Sequence, residues 1–477
     1  VIDIYRQARL RRDRNFDGVF FFGVRTTGIF CRPSCPSPTA KETHVRYFQS
    51  VYAAMESGLR PCLRCRPDVS LPWDRGSVEG PDVVAAALEM MHSGYLNYHS
   101  IIEMARELLI SDRHLRQLFI DHLGIPPVRV LRHHRALFAK KLLLSSQRSV
   151  TEIAYASGFG SLRQFHSVFR QAFGVTPTKM RRQHGAPPAG SALLLKYNAP
   201  FDFAQMLAFM RPRALAGVEV ITDSSYSRTF RTPEASGYFT VRDCPARSAL
   251  ALEIHSDDIK CYMAVSGRVR RMFDLDRDFT EINRRFLSDP HLAPGMKNGH
   301  VPRLPVAFNP FAFAVRAVLG QQISVKAATT LAARVAARAG EKTDETFPQG
   351  LDLFFPTPEA LLDASLADLG LTGRRQATLK DVAEAVLSRR VSLNANQSFE
   401  AFHRAFIALK GIGDWTVHYV GMRGLGLMDC FPASDLGVIK ALSPEGERLS
   451  STRDIVERAA AWRPYRSYAT LCLWNRS

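Results

Sequence analysis

The sequence predicts a multidomain α+β fold: a small cysteine-stapled unit, an all-α unit, an α+β segment, and a closing all-α unit built around a glycine hairpin. Three observations predict it. Two close cysteine pairs, Cys31/Cys35 and Cys62/Cys65, fall near the beginning, and apolar positions recur at helical spacing in two similar stretches after them. Segments of linker composition, Leu71 to Pro81 and Gly185 to Ser191, separate these regions from the rest. At 477 residues with 46% apolar content, the chain is long enough for about three or four domains with real cores. The linkers bound 1–72, 83–184 and 192–477.

Charge points to a nucleic-acid partner. The formal net charge is +18; residues 1–185 hold 27 Lys+Arg against 15 Asp+Glu, a net +12, and residues 186–477 hold 36 against 30, a net +6. There is no signal peptide and no apolar run of membrane-spanning length, so the expectation is a soluble cytoplasmic protein without a membrane partner. Cys244, Cys261, Cys430 and Cys472 are widely scattered and read as reduced core thiols.

In the first unit, Cys31-x3-Cys35 and Cys62-x2-Cys65 have the spacing of a four-thiolate Zn2+ site, since two close pairs supply a tetrahedron at little loop-closure cost. Such a site is open to two readings, a structural staple or a reactive centre. The flanking residues, Val24 to Cys35 and Gly58 to Asp68, resemble the N-terminal domain of Ada, the bacterial alkylation-response family. That resemblance implies repair of methyl phosphotriesters in the DNA backbone, with Cys31 taking the methyl group as an exposed thiolate. Zinc keeps the thiols deprotonated, and S-methylation removes one unit of negative charge, which reduces repulsion from phosphates. Arg25, Arg32, Arg60, Arg64 and Arg66 either attract DNA or form an ordinary solvated face. The Pro-Cys-His-Arg motif of the O6-alkylguanine methyltransferases does not surround any other cysteine.

The second unit carries an approximate internal repeat. Ala105, Leu115, Leu118, Phe119, Gly124 and Pro127 recur as Ala154, Phe165, Val168, Phe169, Gly174 and Pro177. Each copy reads as helix, tight turn, helix. In the second, Gly158 allows the turn and Ser161 caps a helix running to about Phe173, which puts Arg163, Gln164 and His166 near its start. The first offers Asp112 or Ser111 as cap, followed by Arg113, His114, Arg116 and Gln117. These side chains suit base edges and phosphates in a major groove. The pattern resembles the AraC-type DNA-binding domain, notably in Gly158-Phe159 and Phe173-Gly174-Val175-Thr176-Pro177. A connecting helix from Pro127 to about Ser145 would be roughly 28 Å long, close to one DNA turn, so a monomer could present both recognition helices on one face.

The rest of the chain, from Ala192, has strand-like stretches first and then Phe406 to Thr416, which reads as helix, glycine hairpin, helix. Gly411 and Gly413 let backbone approach a phosphate near Thr416 at the second helix's N-terminus. Asp435 follows, and Trp462 to Ala469 and Trp474 lie after it. This is similar to the helix-hairpin-helix glycosylase superfamily, in its 3-methyladenine DNA glycosylase II branch, and the likeness extends back through Phe311–Val325 to Tyr197–Asp202. The resemblance divides 192–477 into an α+β subdomain, 192–280, followed by an all-α glycosylase domain, 281–477. Asp435 would then be the catalytic carboxylate, although a helix N-cap is its other reading. Trp415, Tyr419 and Trp474 correspond to base-pocket aromatics, with core packing the alternative for Tyr419. Gln322 stands where an apolar wedge is common, so wedging either falls to Ile323 or is weaker. Trp415 also stands where bifunctional members carry a lysine, which implies a monofunctional enzyme.

Together these imply an alkylation-damage response protein with three roles: methyl acceptor, transcription activator and base-excising glycosylase. The implied partners are alkylated and promoter double-stranded DNA and RNA polymerase. A repair enzyme that uses its first two units only for DNA affinity, or a regulator with an inactive glycosylase fold, are the competing classes.

Overall fold

A computed structural model of the chain describes residues 2–13, 16–62, 64, 65, 67, 82–184, 192–395, 397–443 and 451–476. Arg66 and both linker segments therefore lie outside the described residues. The chain forms two compact units, one of residues 1–194 with 258–267 and the other of 195–257 with 268–477.

The first unit opens with helix α1 (Ile2–Arg11) and a four-stranded sheet ordered β3-β1-β2-β4. Its strands are β1 (Phe21–Val24), β2 (Ile29–Cys31), β3 (Val45–Phe48) and β4 (Arg60–Pro61). β1 runs antiparallel to both β2 and β3, with Phe22 opposite Cys31, and Phe20, Phe21 and Phe30 are buried. β4 pairs in parallel with β2, Phe30 opposite Pro61, and the Cys62 N–H donates to the Phe30 carbonyl at 3.0 Å. That pairing carries Cys62 to the side of Cys31.

Helix α2 (Val51–Glu56) fastens the sheet to the helices that follow: α3 (Asp82–His92), α4 (Ile101–Glu107), α5 (Asp112–Leu123), α6 (Pro127–Ser145), α7 (Val150–Ala156), α8 (Leu162–Phe173) and α9 (Pro177–His184). Ser50 caps α2 by accepting from the Ala53 N–H, and its hydroxyl donates to the Leu123 carbonyl at 3.0 Å. Glu56 takes Arg129 Nη1 at 2.6 Å and His133 Nε2 at 2.9 Å, both on α6, and the Tyr52 hydroxyl meets His92 Nε2 at 3.0 Å.

The internal repeat is realised helix for helix. Ser100 with Glu103 and Ser149 with Glu152 form capping boxes on α4 and α7. Ser111 and Ser161 cap α5 and α8, so of the two expected caps in the first copy it is Ser111 that acts, with Asp112 as the first helical residue. Both recognition helices end on a left-handed glycine, Gly124 at φ +76° and Gly174 at φ +70°. The copies differ at the tight turn. Gly158 has φ +81°, whereas its counterpart Leu109 holds φ +59° with its side chain in solvent.

The second unit has a five-stranded sheet ordered β5-β9-β8-β7-β6, from β5 (Leu193–Lys196), β6 (Glu219–Ile221), β7 (Ser225–Arg231), β8 (Ser236–Cys244) and β9 (Ala249–Ser256). Helix α10 (Phe203–Met210) lies between β5 and β6 in sequence, and α11 (Tyr262–Met272), whose residues 262–267 count with the first unit, and α12 (Thr280–Leu287) follow the sheet. The all-α part comprises α13 (Pro310–Leu319), α14 (Val325–Ala339), α15 (Pro358–Asp363), α16 (Gly373–Leu387), α17 (Phe399–Ile407), α18 (Asp414–Arg423), α19 (Leu436–Leu442), α20 (Thr452–Ala459) and α21 (Arg466–Trp474). One continuous apolar core, from Val315 and Val318 on α13 through Val417 and Val420 on α18 to Leu471 and Leu473 on α21, holds them. Among the described residues, no helix is long and apolar enough to cross a membrane.

Candidate functional sites: a thiolate metal centre and an aromatic-walled carboxylate

Cys31 ends β2, Cys35 follows a short turn, and Cys62 and Cys65 follow β4, so strand pairing gathers the cysteines from both motifs. Their sulfurs all lie within 4.8 Å of one another, and Cys35 Sγ is 3.9 Å from Cys62 Sγ. A tetrahedral zinc with bonds of about 2.3 Å requires sulfurs roughly 3.8 Å apart, so the residues fit the ion. The Arg32 N–H points at Cys65 Sγ at 3.5 Å, a donor suited to a thiolate. Without a cation the sulfurs must share protons. Hydrogen bonds to Cys35 and Cys65, and then burial, hold the Cys31 proton on, while the bond from Cys31 pulls the Cys35 thiol down. A divalent cation relieves that conflict, and the centre is a zinc site. Against the expectation of an exposed acceptor, Cys31 is only 5% exposed, and Cys65 is the most open of the four.

On the recognition helices, Arg113, His114, Arg116 and Gln117 on α5 and Arg163, Gln164 and His166 on α8 are all exposed. The opposite faces, Leu115, Phe119 and Leu123 on one and Phe165, Phe169 and Phe173 on the other, are buried. Gln117 is partly engaged, donating to Asp121 at 2.8 Å.

In the second unit Asp435 is the N-cap of α19 and also the centre of an aromatic pocket. Its Oδ1 accepts from the Gly437 and Val438 N–H groups at 3.0 and 3.3 Å and from Trp474 Nε1 at 2.9 Å. Its Oδ2 accepts from Trp415 Nε1 at 3.0 Å. The two readings of this aspartate are thus a single arrangement, in which the cap fixes the carboxylate and the two indoles aim it. Tyr419 stacks on Trp415 with ring centres 4.8 Å apart and planes 21° from parallel, and meets Trp474 at 6.2 Å. Tyr419 also touches Phe313 at 5.1 Å, so it joins the pocket to the core. All three pocket aromatics and Asp435 are half-buried.

The glycine hairpin runs from α17 to α18, and its two glycines do different work. Gly411 has φ +91°, and a Cβ there would lie 2.3 Å from Thr378 Oγ1, so internal packing against α16 demands it. Gly413, the exposed cap of α18, would place a Cβ in open space, and it is the one with room for a ligand. Thr416 is 2% exposed and its hydroxyl accepts from Gln321 Nε2 at 3.0 Å, so its side chain is turned inward. Its backbone N–H, in the first turn of α18, has no intrahelical acceptor. Gln322 sits exposed at φ +58° between α13 and α14, a strained loop tip.

Sequence reasoning missed the brace behind that tip. Gln321 Nε2 donates to the Gly411 carbonyl and Thr416 Oγ1, both at 3.0 Å, while Arg375 donates to the Gln321 carbonyl at 2.7 Å. These contacts span 54 to 95 positions, so no local pattern signals them. Gln321→Leu leaves two acceptors without their donor, at about 1–3 kcal/mol each if both are desolvated. Affinity for DNA carrying an abasic site is expected to fall several-fold, measured by fluorescence anisotropy, with helix content unchanged.

Family models match four consecutive regions: "Metal binding domain of Ada" at residues 5–68, "Helix-turn-helix domain" at 104–183, "AlkA N-terminal domain" at 192–309, and "HhH-GPD superfamily base excision DNA repair protein" at 315–463. The chain is 34% identical over 97% of its length to a probable bifunctional transcriptional activator/DNA repair enzyme AlkA of Mycobacterium tuberculosis, covering 94% of that protein. It is 32% identical to DNA-3-methyladenine glycosylase 2 of Escherichia coli, over 59% of this chain and 95% of the relative. A 3-methyladenine DNA glycosylase from Archaeoglobus fulgidus shares the fold at a TM-score of 0.51 and 22% identity, over 60% of this chain and 98% of that one.

Proposed function

Since the chain belongs to the family of bifunctional transcriptional activator/DNA repair enzymes of the AlkA type, we propose that it joins a methyl-accepting sensor, a promoter-binding unit and a base-excising glycosylase in one polypeptide. The observation that carries the glycosylase reading is the Asp435 carboxylate, held by two backbone N–H groups and faced by both pocket indoles.

In that reading an alkylated purine such as 3-methyladenine is flipped against the cluster of Trp415, Tyr419 and Trp474, whose open ring faces attract its positive charge. The N-glycosidic bond breaks with its electron pair leaving on the base, and the cationic sugar faces Asp435. Water then adds to the sugar and loses its proton, leaving an abasic site. Trp415 occupies the place of a nucleophilic lysine, so the strand stays intact. Gln322, at its strained tip, would fill the space left by the flipped base, and the Gly413 turn would receive a backbone phosphate.

For the first unit, the Cys31 sulfur forms a bond to the methyl carbon of a phosphotriester as the carbon–oxygen bond breaks, and the electron pair stays on a restored phosphodiester. Zinc, when bound, keeps the thiols deprotonated. The zinc centre then carries one less negative charge, and the exposed residues of α5 and α8 hold the promoter more tightly beside it. A monomer supplies both recognition helices, and RNA polymerase is the partner an activator of this kind recruits.

The test is one incubation of the full chain with methylated duplex DNA, read in two ways. Peptide mass spectrometry is expected to find one methyl on Cys31, and chromatography is expected to find free 3-methyladenine with an intact abasic strand. A methyl on Cys65, the more open sulfur, would move the acceptor role. A borohydride-trapped adduct would reveal a lysine nucleophile, and no released base would reduce the second unit to a binding module.

A further inference from the structure

Between β6, β7, α13 and α18 of the second unit lies a cavity of about 60 Å³ walled by charge of one sign. Arg213, Arg228, Arg316 and Arg423 line it, and Glu219 is the single acidic residue among the lining side chains. Guanidiniums stay protonated at neutral pH, so the walls carry a net charge of +3.

The carboxylate is fully engaged. Glu219 Oε1 takes the Tyr226 hydroxyl at 2.6 Å and Arg228 Nη1, and Oε2 takes the Leu215 N–H at 2.9 Å. Arg316 gives its Nη1 to the Arg213 carbonyl and its Nη2 to Thr329 at 2.8 Å. Donors are nonetheless left over. Arg423 uses Nε on the Pro305 carbonyl at 2.7 Å and also bonds the Tyr419 side chain, but among the described residues its buried Nη1 has no partner, and neither has the buried Nε of Arg228. Both residues are only 6% exposed.

Phe209 and Phe313 flank the Arg423 guanidinium at 4.6 and 5.3 Å and offset part of the burial cost through their ring faces. The offset is incomplete, since burial pulls Arg423 down to about 10 and Arg316 in the same direction. A buried excess of cations with unmet N–H donors is well matched to an anionic partner.

We propose that this cavity binds a small monovalent anion of halide size, chloride being the abundant one, held by Arg423 Nη1 and the Arg228 guanidinium. The space is large enough for a halide ion with one or two waters and too small for a bulky organic anion. The anion would join the sheet part, which supplies Arg213 and Arg228, to the helical part, which supplies Arg316 and Arg423. The site adjoins the aromatic cluster through the Arg423–Tyr419 contact, but binding of the anion requires neither Asp435 nor base excision.

The test uses the full chain without DNA, because halides also compete with DNA phosphates. Crystals soaked in bromide are expected to show an anomalous peak in the cavity, within hydrogen-bond reach of Arg423. The melting temperature of the second unit is expected to rise with the logarithm of chloride or bromide concentration, relative to gluconate at matched ionic strength, since gluconate is too large to enter. Arg423→Met should remove the difference between the salts. A cavity holding only water after bromide soaking, or equal melting in all three salts, overturns the proposal, and both readings use the unmodified chain even if the variant fails to fold.

Discussion

Asp435→Asn is expected to lower 3-methyladenine release by about 10³-fold, on the order of 4 kcal/mol of transition-state stabilisation, while leaving the fold intact. The hydrogen bonds around the residue explain why the two effects separate. Asparagine is a good N-cap, and its single carbonyl can keep the Gly437, Val438 and Trp474 donors that converge on Oδ1. The amide nitrogen then replaces Oδ2 and faces Trp415 Nε1, a donor against a donor. What is lost is the negative charge opposite the sugar and one indole contact. Base release at saturating enzyme, beside thermal melting, measures both. A variant that melts normally and still releases base at near the original rate would move the catalytic role away from Asp435.

Substitutions of the cysteines are expected to divide by role. Cys62→Ser removes a ligand next to β4 and loosens the closure that joins the two motifs. Like Cys31→Ser it leaves three sulfurs and a hydroxyl, so zinc affinity should fall in both. In Cys62→Ser methyl transfer should fall only as far as zinc is lost, because ligand binding and folding are one equilibrium in small metal domains. Cys31→Ser is expected to keep some zinc but to take no methyl, since the hydroxyl is a far weaker nucleophile at neutral pH. Zinc content by atomic absorption and methyl uptake from phosphotriester DNA distinguish the two. Base release by the second unit should stay within about twofold in both variants, as the units are separate compact bodies. Undiminished methyl uptake by Cys31→Ser would exclude it as acceptor.

Much of this was legible in the sequence where the determinants are local. The capping serine Ser161, the left-handed Gly158 and the glycine hairpin each act within a few residues of their position, so spacing alone predicts them. The cysteine quartet was legible because its two pairs are short motifs, although only the parallel pairing of β2 with β4 explains how they meet. Features assembled from distant segments left no such trace. Gln321 looks like a polar loop residue until Gly411 and Thr416 are placed against it, and the burial of Cys31 follows from its place at the end of a strand beside Cys62. Gly411 shows the limit most clearly. Its pattern suggests phosphate approach, and the structure adds a second reason that no local pattern shows, the close packing of Thr378 from another helix.

The contacts that Ser50, Tyr52 and Glu56 make with the helices beyond them change how a single methyl can act as a signal. Once the recognition helices are seated on a promoter, any phosphate that the zinc unit reaches is met within the same complex, at an effective concentration of order millimolar for a short tether. A gain of about 1.4 kcal/mol at that surface is tenfold in the binding constant, and within the complex it acts on phosphate that is already close by. Docking adds a fixed approach geometry to that proximity, so the amplitude of a charge-based response would be written in the α2–α6 seam as much as in the sulfur that takes the methyl.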